Sequence, residues 1–107
     1  MPRADLDIHP DALLEAEAGV AWYLARSRGA AEHFLAELDR AIGLIMEAPE
    51  RWPPYVHDTR RYVLYKFPCC LIYTASGSLV RIYAVAHAKR RPGYWKDRLR
   101  WGDPPVA

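Results

Sequence analysis

The sequence predicts an α+β domain in which a helical hairpin packs on one face of a small antiparallel sheet, in the order β-α-α-β-β-β. Three observations carry this. Apolar residues recur every three to four positions through residues 11–48, the period drops to two beyond residue 59, and Pro and Gly mark the block boundaries.

Leu6 and Ile8 alternate with Asp5 and Asp7, a short strand signal. Pro10 stands where a first helical residue would, and Asp11, Glu15 and Glu17 follow near the positive helix end. The stripe Leu13, Leu14, Val20, Ala21 and Leu24 marks a helix from Asp11 to about Arg26, which Ser27-Arg28-Gly29 breaks. Trp22 and Tyr23, near its end, are expected to pack within the hairpin. A second helix runs from about Ala30 to Ala48 on Phe34, Leu35, Leu38, Ile42, Ile45 and Met46, and Pro49 ends it. Glu50 to His57, with Pro53-Pro54, is a stiff loop. From Arg60 to Phe67 the chain alternates: Tyr62, Leu64 and Lys66 fall on one face, Arg61, Val63, Tyr65 and Phe67 on the other. Pro68 interrupts, Cys69 to Ala75 forms the next strand, Ser76-Gly77-Ser78 turns the chain, and Leu79 to Ala86 forms the last strand.

At 107 residues, 51% hydrophobic and 26% charged, the chain is expected to form one packed domain over residues 1–107, with a basic tail from about residue 88. No apolar run reaches the roughly 18 residues of a membrane span, and the N-terminus lacks the apolar stretch of a secretion signal. The expected compartment is the cytoplasm. Cys69 and Cys70 are adjacent, so on a strand they face opposite ways, and both are read as reduced. No metal-binding or cofactor motif occurs. The net charge of +2 conceals a split: residues 1–57 carry five Lys/Arg against ten Asp/Glu, and residues 58–107 ten against three. A basic half of this kind suits an acidic or nucleic-acid partner, or packs beside its own acidic helices.

Four stretches carry a family resemblance: HPDALLEAEAGVAWY (9–23), FLAELDRAIGLIMEAPERWP (34–53), RRYVLYKFPCCLIY (60–73) and VRIYAVAHAKRRPGYWKDRL (80–99). Taken in this order the sequence resembles the ParE/RelE superfamily of bacterial type II toxins. The resemblance implies the fold just read, and a cytoplasmic toxin held inactive by a cognate antitoxin wrapped around its sheet and hairpin. It also implies one of two targets. ParE-like members block DNA gyrase, and RelE-like members cleave mRNA on the ribosome.

RelE-like nucleases usually place an Arg just before the apolar-apolar-Tyr triplet of the middle strand. Here the triplet is Leu71-Ile72-Tyr73 and the preceding residue is Cys70, a neutral thiol that cannot hold a scissile phosphate. The favoured expectation is therefore a ParE-like gyrase inhibitor, not itself an enzyme, whose tail residues Lys89, Arg90, Arg91, Tyr94 and Trp95 form a partner-binding surface. The alternative is a metal-independent endoribonuclease using Arg60, Arg61, Lys66, Arg81 and His87 on the sheet. His87 has the near-neutral pKa of a general acid, yet an imidazole at a strand end bonded to backbone is the commoner arrangement. Glu47 and Glu50 are further general-base candidates at the helix exit. A third alternative is a weakly toxic relative that only binds an antitoxin.

Overall fold

The structure, a computed structural model, describes residues 5–101. Strand β1 (Asp5–Ile8) leads into helices α1 (Pro10–Leu24) and α2 (Arg28–Glu47). A 3-10 turn (Pro49–Arg51), the short strand β2 (Pro54–Tyr55) and a second turn (Val56–Asp58) connect to β3 (Thr59–Val63). Strands β4 (Cys69–Ser76) and β5 (Leu79–His87) follow, and the tail ends in a 3-10 segment (Lys96–Arg100).

The sheet has five strands in the order β1-β5-β4-β3-β2. It is antiparallel, as expected, except at one edge, where β1 runs parallel to β5 from Asp5↔Leu79 to Ile8↔Ile82. No tight turn joins these two strands. The helical hairpin and the whole meander lie between them, which is the long crossover a parallel neighbour needs.

The helix starts are explained by their caps. The Asp11 N–H donates to Nδ1 of His9 at 3.0 Å, with Pro10 at the first helical position. Ser27, read as part of a break, caps α2 by accepting from the Ala30 N–H at 3.3 Å, so Arg28 and Gly29 already belong to the helix.

In α1 the buried face is not the leucine stripe. Leu13, Leu14 and Leu24 are 47%, 60% and 56% exposed, while Ala12 is buried and Ala16, Val20 and Tyr23 pack on the core. Small residues face inward because α2 lies very close. A Cβ on Gly19 would fall 2.6 Å from a ring carbon of Phe34. Tyr23 packs as expected, on Phe34 and Phe67, but Trp22 is 52% exposed under the guanidinium of Arg26.

One sheet face packs on the hairpin through Tyr62, Leu64, Leu71, Tyr73, Val80 and Ile82 against Phe34, Leu38 and Ile45. The other face carries Ile72, Ala84 and Ala86, and Trp95 of the tail covers them. A bulge divides the two sets. Ile72 pairs with Ala84 and Tyr73 with Ile82, so Tyr83 is the extra residue and both Ile82 and Val85 face the helices. Strand β3 is also shorter than its alternation suggests. It ends at Val63, Lys66 adopts a left-handed φ of 66°, and the turn returns Phe67 to the core, away from the face of Arg61.

Candidate functional site

Two constellations stand out, one on the tail-covered sheet face and one where the tail meets α1. The first is a shallow cavity of about 320 Å³ whose lining includes Arg61, Cys70, His87, Arg90, Arg91 and Trp95. Arg61 projects from β3 over the Tyr55 ring, 4.4 Å from its centre, and its Nε is buried with no partner among the described residues. Cys70 lies in the same cavity. Burial pushes its thiol pKa up, against the pull of the Arg61 charge, so it is neutral near pH 7. Cys69, on the helix face, is pushed up to about 11 by burial, with Cys70 and Glu15 adding to the rise. His87 Nδ1 accepts the Lys89 N–H at 3.1 Å, the strand-end arrangement.

The five residues of the endonuclease alternative are not gathered. Arg61 and His87 share the cavity, but the other three lie elsewhere. Arg60 donates to the backbone carbonyls of Trp52 (2.6 Å) and Glu50 (3.3 Å) and fastens the Pro-rich loop. Lys66 sits in the turn, its Nζ 5.3 Å from the Tyr65 ring. Arg81 pairs with Asp7 at 3.6 Å and donates to the Trp101 carbonyl at 3.2 Å. Arg81 and His87 are six positions apart along the strand, roughly 20 Å. Neither Glu47 nor Glu50 lines the cavity.

The five tail residues also divide. Trp95 is 1% exposed, a core residue, with Tyr55 and His57 against its ring at 6.3 and 5.9 Å. Trp95, expected on the partner-binding surface, is instead a cover for the sheet: with helices on one side only, Ile72, Ala84 and Ala86 would otherwise lie bare, and the indole removes them from water. Tyr94 is half-buried, and Arg90 lies over its ring at 3.9 Å. Lys89 and Arg91 are exposed and form no ion pair among the described residues.

The second constellation centres on Glu15, which the sequence reading treated only as a helix-end charge. Its carboxylate accepts from Arg98 at 2.8 and 3.1 Å, from the Tyr94 hydroxyl at 2.5 Å and from the Val85 N–H at 3.0 Å. Arg98 also donates to the Tyr83 carbonyl at 3.0 Å, at the bulge. Burial raises the Tyr94 pKa, and the Glu15 hydrogen bond and charge raise it further against Arg98 and Arg90. Burial alone would lower the Arg98 pKa, but the hydrogen bond and charge of Glu15 outweigh it and leave it raised. No sequence pattern flags Glu15, because all its partners come from the far end of the chain.

Among the described residues no group of three or more His, Cys, Asp or Glu is placed to hold a metal, and no helix is long and apolar enough to cross a membrane. No protein-family model matches the chain, and no curated protein matches it significantly. A solved chain from the chromosomal ParDE TA system of P. aeruginosa superposes with a TM-score of 0.70 at 13% sequence identity, covering 81% of this chain and 98% of that one. The helical hairpin, the five-stranded mixed sheet and their connectivity therefore share the α+β fold of that ParDE-system chain, the fold the four sequence stretches implied.

Proposed function

We propose that this chain is the toxin of a cytoplasmic type II toxin–antitoxin pair, ParE-like in action: it arrests growth by binding DNA gyrase and is neutralised by a cognate antitoxin. The observation that carries the reading is the structure of the middle strand and its cover. Where a nuclease would present a phosphate-binding cation, this chain presents the neutral thiol of Cys70, and Trp95 lies over the same face. The exposed cations Lys89, Arg90 and Arg91 then serve as a protein-docking surface beside Tyr94. The likeness to a ParDE chain supports a toxin–antitoxin role in general.

A second reading, endoribonuclease, keeps one favourable observation: Arg61 and His87 line one cavity with Arg90 and Arg91. Pulse-labelling of cells induced for this chain without antitoxin separates the two. Early loss of thymidine incorporation with translation intact is expected. Early loss of amino-acid incorporation overturns the proposal in favour of the nuclease, and loss of neither leaves an antitoxin-binding chain without toxicity.

A further inference from the structure

Helix α1 is apolar on its outer side as well as its inner one. Ala12, Ala16, Val20 and Tyr23 pack on the core, yet Leu13, Leu14, Trp22 and Leu24 are exposed on the other side, with Ala18, Ala21 and Ala25 open between them. Glu17 is the one charged residue exposed from Leu13 to Ala25. A helix that is apolar all round is ordinarily enclosed on all sides.

At 3.6 residues per turn these positions form one band, about half the circumference of the helix. The apolar surface in it is on the order of 500 Å² per chain, near the upper end of what a lone soluble protein leaves bare. Two such bands face to face hide roughly 1,000 Å², the least that a specific interface needs.

The order of residues in the band says what covers it. Leu14, Ala18, Ala21 and Ala25 follow one line along the helix, at spacings of four and three. That line is symmetric about a point between Gly19 and Val20. A second α1, antiparallel and related by a two-fold axis at that point, sets Leu14 against Ala25 and Ala18 against Ala21. On one flank Leu13 then meets Leu24, and on the other Trp22 lies over Ala18. A foreign partner would require no such match of the line to itself.

The charges at the ends agree with this register. Asp11, in the first turn of α1, is half-exposed beyond its 3.8 Å contact with Arg98. It comes opposite Arg26 of the second copy, and the Arg26 guanidinium is already held on the Trp22 flank, 3.3 Å over that ring. Symmetry makes this pairing twice. Glu17 falls on the Leu24 flank near its own counterpart, a like-charge approach that keeps the association weak.

We infer that the chain pairs with a second copy through this face, α1 against α1, antiparallel about a two-fold axis. The pairing is independent of the target proposed above.

Sedimentation equilibrium of the whole chain is the test. It should show monomer and dimer with a Kd of about 10 μM, the weak end expected of an interface this small. Leu14→Glu should weaken pairing about tenfold or more and leave the thermal midpoint unchanged, since Leu14 packs on nothing within the chain. Ala21→Glu, on the same line, should do the same and stands in should Leu14→Glu disturb folding. Asp11→Lys and Arg26→Glu should each weaken pairing about threefold or more, and the two together should restore it. A chain that stays monomeric up to about 300 μM overturns the inference and leaves the face to a foreign partner. Association untouched by both Leu14→Glu and Ala21→Glu overturns it too, as does a double charge variant no tighter than the single ones.

Discussion

Glu15 and Arg98, 83 residues apart in the chain, meet in a two-pronged ion pair at 2.8 and 3.1 Å. Each side chain is less than a fifth exposed, at 17% and 16%, so the pair is well shielded from water. Paired charges in that setting are costly to separate, because the partner that remains is desolvated, and for Arg98 the only other carboxylate within reach among the described residues is the longer, half-exposed contact to Asp11 at 3.8 Å. Glu15→Ala should lower stability by about 3 kcal/mol, read by urea denaturation. Adding Arg98→Leu should cost less than the two single effects summed, since the buried cation that has lost its main partner is then gone. In Glu15→Ala, trypsin should also cut after Lys89 and Arg90 ahead of the rest of the chain.

Alkaline pH should loosen the same region. Tyr94 and Tyr73 both have raised pKa values, with burial as the leading cause, and Cys69 is pushed up to about 11. For each group the folded state favours the protonated form. The resulting stability is present below the unfolded pKa values, about 8.5 for Cys and 10 for Tyr, and is lost as pH rises through and beyond them. Thermal midpoints should hold level from pH 7 to about 8.5 and then decline. Tyr94→Phe should flatten the decline above pH 10, at the cost of a lower midpoint at neutral pH from the lost bond to Glu15.

Gly19→Ala tests the close approach of α1 and α2. In an exposed helix interior this change stabilises by about 1 kcal/mol. Here the added methyl meets the Phe34 ring at 2.6 Å, and overpacking of this kind costs about 1–3 kcal/mol. A net loss of stability is expected in a thermal melt. A net gain would show that Phe34 can turn aside.

Trp95→Ala and Arg91→Glu should behave as opposites. The first removes a fully buried indole and should cost about 3–5 kcal/mol, enough to unfold much of the population. The second alters an exposed cation with no ion pair among the described residues and should change stability by less than about 0.5 kcal/mol. If the tail is a docking surface, Arg91→Glu still reduces growth arrest in induced cells, measured at equal soluble protein. Truncation after Ala88 is no substitute, because it uncovers Ile72, Ala84 and Ala86 and leaves Glu15 unpaired.

His87→Ala separates the two functional readings from the other side. An exposed imidazole whose one bond among the described residues is to the Lys89 N–H contributes little to stability. Growth arrest within about twofold of the parent protein is expected of a gyrase inhibitor, whereas loss of a general acid typically costs 10²–10⁴-fold.

The helices and the meander were legible because periodicity reports directly on burial. Phe34, Leu38 and Ile45 line the core where the repeat of α2 places them. In α1 the same logic misled. It assumes that large apolar residues face inward, whereas here a close helix contact reserves the inner face for Ala12, Ala16 and Gly19 and leaves Leu14 in water. The Tyr83 bulge and the return of Phe67 depend on backbone geometry that alternation cannot express. The candidate site was the least legible part. Trp95 looked like an anchor for a partner because nothing in the sequence says that the second sheet face needs a cover. Glu15 looked ordinary because Tyr94 and Arg98 lie at the other end of the chain.

The Glu15 pair also sets an order of events during synthesis. Chains emerge and fold from the N-terminus, so α1 and its carboxylate are made before Arg98, which follows 83 residues later. Until Trp95 and Arg98 leave the ribosome, the nascent protein has a complete helical face, an open sheet face and a carboxylate awaiting its cation. Partial proteolysis of chains stalled before and after residue 98 would capture the step as the onset of protection at β5. The last dozen described residues thus act as a closing latch, and a chain released before them lacks the surface on which the tail cations are displayed.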